Sequence, residues 1–220
     1  GAMNNYSNKE LRALCTRAAR GAYMPWGLAE EAAASVAWLE RHNIHAVTPF
    51  IDLLTANDGA DPAELAPVFG RDETGARNRA RICPILVGSY LSDLRGTNLG
   101  DSSLEIENVN APILMVPFLA WVARDLGRSI WAQWGRVLVH VSSDGAEIVS
   151  GSEEFDLSMR QDVAISLAPG NPELSGSVLP RTEVSNRSQL VLERFIQRTL
   201  LPESERSKAS GAGGGRIDDD

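Results

Sequence analysis

Glu31, Cys83 and Asp93 are the side chains whose type and setting could carry acid–base or nucleophilic chemistry. Glu31 stands in the segment Leu28 to His42, whose inward positions Leu28, Ala32, Ser35, Val36 and Leu39 recur at helical spacing. At 100° per residue it falls about 60° off the centre of that stripe. A carboxylate there must be paired or exposed, and Arg17 or Arg20 of the preceding helix can supply the pair. The plain alternative is a helix–helix ion pair with no chemistry. Cys83 sits in Ile82-Cys83-Pro84-Ile85-Leu86, after Arg77, Arg79 and Arg81. A nucleophilic thiol needs its pKa lowered by a helix N-terminus or a cation; the plain alternative is a small buried hydrophobe. Cys15, inside the first helical stripe, reads as core. Asp93 follows an expected buried strand, and strand-end loops carry function, although a cap or turn role also suits it.

These residues suggest one site. Arg17, Arg20, Trp26 and Glu31 would face Cys83 and Asp93, and the Gly-rich tail, with Gly211 and Gly213, would close over them. Successive backbone N–H groups in Gly-rich turns hold anions, whereas composition alone makes such a tail a disordered terminus. The expected function is binding or transforming a small polar, anionic metabolite, with Glu31 or Cys83 as acid, base or nucleophile. The alternative is a non-catalytic accessory or interaction subunit whose tail docks on a partner. No Walker A loop, dinucleotide fingerprint or Gly-x-Ser-x-Gly elbow is present. His42, His45 and His140 are too few and too scattered for a zinc site. Neither metal nor cofactor is expected.

The charge balance narrows the partners. A net charge of −8 and a pI near 5.0, without a Lys/Arg block, argue against nucleic acid and anionic membranes. The apolar run Ala111 to Ala123 is too short to span a bilayer. Two cysteines and no signal peptide point to a cytoplasmic protein with reduced thiols. A small-molecule ligand or a protein partner remains, and an oligomer is open.

The elements that must position these residues follow from periodicity. Gly1-Ala2-Met3 reads as a scar of tag removal, leaving a single α+β domain over residues 4–220. Ser7 and Glu10 form a capping box for a helix from Asn8 to Arg20. A second helix covers Leu28 to His42, and a third starts at Pro49 under Thr48. Asp61 to Arg81 reads as a long loop, Ile82 to Gly88 as a buried strand and Leu104 to Val109 as another. Ile113 to Val116 is expected extended, before a helix that Pro117 opens and Gly127 ends. Alternation over 129–134, 136–142 and 161–167, with Ser143-Asp144-Gly145 as a turn leading into 147–149, predicts an antiparallel meander. Asn186 to Leu200 is an amphipathic helix capped by Ser185, and residues 203–220 form the tail. Helices, then consecutive strands, make the class α+β.

A resemblance spans nearly the whole chain. Leu14-Cys15-Thr16-Arg17-Ala18-Ala19-Arg20-Gly21-Ala22, then Trp26-Gly27-Leu28-Ala29-Glu30-Glu31, resembles the opening of an uncharacterised bacterial family, domain of unknown function 3726. Cys83 to Gly88 is similar to its Cys-Pro-Leu-Leu-x-Gly segment, and Ala111 to Phe118 to its Ala-Pro-Leu-Leu-x-x-Pro-Phe segment. Pro202, Ser204, Glu205, Ser207 and Gly211 to Gly214 resemble its ending. Tyr23 stands where the family usually has glycine, and Asp218-Asp219-Asp220 where it has Asp-Asn-Asp. The resemblance implies an architecture and a patterned tail, not a reaction.

Overall fold

Helix α1 (Asn8–Gly21) begins at the expected capping box, with the Ser7 N–H donating to Glu10 Oε2 at 2.7 Å. Its stripe of Leu11, Leu14, Cys15 and Ala18 is buried against α2 (Trp26–Arg41) and α8 (Asn186–Arg198). Gly21 permits the second contact. A Cβ there would stand 1.7 Å from the Phe195 carbonyl oxygen of α8. In the turn to α2, Tyr23 holds φ 67°, the left-handed conformation a glycine enters without strain. The structure is a computed structural model, and it describes residues 3–69, 75–76, 81–100, 102–168 and 181–200.

Helix α3 (Val47–Asn57) starts two residues before the expected position, and Thr48 is not its cap. The cap comes from another helix. Glu40, near the end of α2, accepts from the N–H groups of Ala46 at 2.8 Å and Val47 at 3.3 Å. The expected long loop after α3 contains a short helix, α4 (Pro62–Leu65), capped by Asp61, and a two-residue strand, β2 (Gly75–Ala76).

The strand expected at Ile82 to Gly88 is not there. Only Ile82 makes a bridge, to Val109, and Pro84 opens helix α5 (Pro84–Asp93). A short apolar run does not distinguish a buried strand from a buried helix, and the proline at the helix start is what decides it. Gly88 lets α5 lie close to α6 (Val116–Leu126), since a Cβ would meet the Phe118 ring at 2.3 Å. Ahead of α6, residues Pro112–Met115 form a 3-10 turn rather than extended chain.

Strands β3 (Leu104–Val109), β4 (Ile130–Trp134), β5 (Val137–Ser142), β6 (Gly145–Ser150) and β7 (Gln161–Leu167) carry the main sheet, with helix α7 (Glu154–Ser158) between the last two. The order is β2-β3-β7-β4-β5-β6. The meander holds for β4 to β6, but β7 inserts between β3 and β4, pairing Val163 with Ile106 and Ile165 with Ala132. Among the described strands only β2 runs parallel to its neighbour. The alternating residues Val137, Val139 and Val141 turn inward and are buried, with α6 packed on β4 to β6. Each such side chain contributes roughly 1.5–3 kcal/mol. A separate ribbon pairs β1 (Met3–Ser7) with β8 (Arg181–Ser185), so Met3, read as scar, is part of a strand opposite Ser185. The class is α+β. Among the described residues no helix is long and apolar enough to cross a membrane.

Candidate functional site

The expected site is assembled only in part. Glu31 of α2 meets Ser89 and Asp93, which lie four residues apart on one face of α5. Burial pushes the Glu31 carboxyl above the usual carboxylate range; the Ser89 hydroxyl pulls it down, and the Asp93 charge raises it again. Neither arginine expected to pair with Glu31 does so among the described residues. Arg17 is exposed, while Arg20 donates to the Met24 carbonyl and lies over the Trp26 ring, 4.7 Å from its centroid. Trp26 is 62% exposed, and the 100° step puts it about 140° around α2 from Glu31. The Arg20–Trp26 pair and the Glu31–Asp93 pair therefore belong to different faces.

Cys83 lacks the setting that a nucleophilic thiol needs. It is fully buried, and burial pushes its thiol up to about 11 against the pull of the Leu86 and Ile85 N–H groups. A thiol so placed stays protonated at neutral pH. Gly211 and Gly213, with the tail 203–220, lie outside the described residues, as do Arg77 and Arg79.

The structure draws attention instead to the other end of α2, which sequence reasoning passed over. Glu40 follows Val36 by four residues and so falls on the buried stripe; a glutamate there, just before a new helix, was the available signal. Its Oε1 holds the start of α3, and its Oε2 stands 3.8 Å from His45 Nδ1, an ion-pair distance too long for a hydrogen bond. Proximity to Glu40 keeps the His45 pKa above the ordinary histidine value, against burial and with help from Glu154. His42, three residues earlier, turns away to stack on Trp38 and bond the Trp38 and Asp144 carbonyls.

Glu40 and His45 form one wall of a groove of about 560 Å³ between the β1–β8 ribbon and the first residues of α3 and α7. Glu154 and Glu183 add two carboxylates, and Ser185 and Ser188 add hydroxyls at the start of α8. The described lining carries no lysine or arginine. Its size is that of a small-molecule site. Elsewhere, His140 is buried beside Trp131, its Nε2 without a partner among the described residues. No three His, Cys, Asp or Glu side chains among the described residues gather as a metal site would require.

Residues 6–82 match the model of a family described as "Protein of unknown function (DUF3726)", the family that the resemblance in the sequence indicates. No curated protein and no solved structure matches the chain.

Proposed function

We propose that the protein binds a small, polar, positively charged metabolite in the groove between the β1–β8 ribbon and helices α3 and α7. One observation carries this reading: three carboxylates and one imidazole line a hollow of ligand size whose described lining holds no lysine or arginine. A bound cation would offset their negative charge. This reverses the sign of the ligand expected from Arg17, Arg20 and the tail, because Arg20 is already engaged and Arg17 lines no part of the groove. The buried Glu40 fixes one wall, and the mostly exposed His45 is the group placed to exchange a proton with a ligand. Both cysteines are free, in keeping with a cytoplasmic setting.

A thermal-shift screen of amines, amino acids and anionic metabolites tests it. At about one hundred times its dissociation constant a ligand adds roughly 2.7 kcal/mol of stability. The expected hits are amines or amino acids, and Glu183→Gln, on an exposed residue, should weaken them. Stabilisation by anions alone would restore the ligand expected from the arginines. Silence across the panel would favour an accessory protein that works through a partner.

A further inference from the structure

Helix α7 also contributes to a second, open hollow of about 230 Å³, lined by Phe155 and Ser158 of α7, Asp52 and Leu53 of α3, and Asn110 in the turn before the 3-10 segment. Its polar wall has unused capacity. The Ser158 Oγ is shut off from solvent and faces the Asp52 carboxylate, short of a hydrogen bond of full geometry with any described residue. Asn110, only 8% exposed, places its amide nitrogen at a long 3.4 Å from Asn57 Oδ1. Among the described residues no cationic side chain pairs with Asp52, and the charge that acts on it, Glu154, has the same sign. Phe155 is 69% exposed, an aromatic ring on a five-residue helix whose position packing does not explain.

We propose that this hollow is a second binding site, for a compact organic cation. The ammonium group meets the Asp52 carboxylate and the Ser158 Oγ, which accept its N–H groups. A short alkyl body lies on Leu53, and the Phe155 ring covers the cation from the rim. Partial burial pushes the Asp52 carboxyl above its ordinary range, the Ser158 hydroxyl opposes this and Glu154 adds to it; a bound cation favours the ionised form. The assignment stands apart from the groove, because the two hollows use different residues of α7.

Methionine methyl NMR on the whole chain separates the two. The chain has four methionines: Met159 lines this hollow, Met3 lines the groove, and Met24 and Met115 are buried. Titrating n-butylammonium should move the Met159 signal saturably, with at least tenfold weaker binding for the neutral n-butanol. Asp52→Asn should raise the dissociation constant at least tenfold. Phe155→Ala, at an exposed residue, should raise it severalfold without unfolding the chain. A still Met159, or equal response to the alcohol, overturns the second site. Movement of Met3 alone also overturns it and leaves the groove reading standing; movement of Met159 alone supports the second site whatever becomes of the groove.

Discussion

Two glutamates nine residues apart on α2 have opposite fates. Glu40 is 6% exposed, yet it receives two backbone N–H groups from the start of α3 and faces His45. Glu31 is half-buried, receives one hydroxyl from Ser89, and faces a second carboxylate, Asp93. Nine residues is half a turn off register, so the helix presents the two to different neighbours. Burial alone does not decide whether a carboxylate is supported. The donors on the next element do.

The sharpest way to break the contrast is Glu40→Ala. It leaves two amide N–H groups without their acceptor, at about 1–3 kcal/mol each, and the expected loss in urea unfolding is about 3 kcal/mol. Glu40→Gln keeps an acceptor and should lose less than half as much. A loss of less than about 1 kcal/mol for the alanine variant would show that water replaces the cap and that the groove wall does not depend on Glu40.

Gly88→Val attacks the other pole. Its side chain would enter the Phe118 ring and push α5 away from α6, an overpacking worth about 1–3 kcal/mol. Because α5 carries Ser89 and Asp93, the Glu31 pKa measured by NMR should fall toward its ordinary range as the helix moves. An unchanged Glu31 titration would mean that α5 does not set it.

Glu31→Gln should have the opposite sign from Glu40→Ala. A carboxyl whose folded pKa is raised contributes stability below its unfolded pKa and loses it as pH rises through the folded value. At neutral pH the charged Glu31 is therefore a burden, and the glutamine variant should gain about 0.5 kcal/mol or less. The gain should vanish in acid, and a loss at neutral pH would show that Ser89 outweighs both burial and Asp93.

His45→Gln is the smallest effect. The raised pKa means that protonated His45 adds stability below its unfolded value, which fades as pH rises through the folded one. Its side chain is 87% exposed, so the contribution is about 0.5 kcal/mol or less. The variant should flatten the stability profile across neutral pH. An unaltered profile would remove His45 from the groove's electrostatics.

Local chemistry made much of the fold legible. The Ser7–Glu10 capping box, the Ser185 cap, the stop at Gly127 and the strands β4 to β7 rest on patterns within a few residues of chain, and all are in the structure. Of the candidate site, the sequence brought together Glu31 with Asp93 and Arg20 with Trp26, as two separate pairs and without their reason for meeting. Asp93 was expected after a strand and arrives instead at the end of a helix, because fully buried apolar residues leave no period to read.

The sequence by itself therefore determined the class, the starts of α1 and α8, the end of α6 and the strands of the meander, since these rest on hydrogen bonds and side-chain periods between near neighbours. Tertiary structure alone decided that β7 enters between β3 and β4, that Glu40 caps a helix other than its own, and that carboxylates 29 positions apart in sequence or more, Glu154 and Glu183 among them, line one groove. The physical reason is common to all three: each depends on which donors, charges and apolar faces distant segments bring together, and no local pattern carries that.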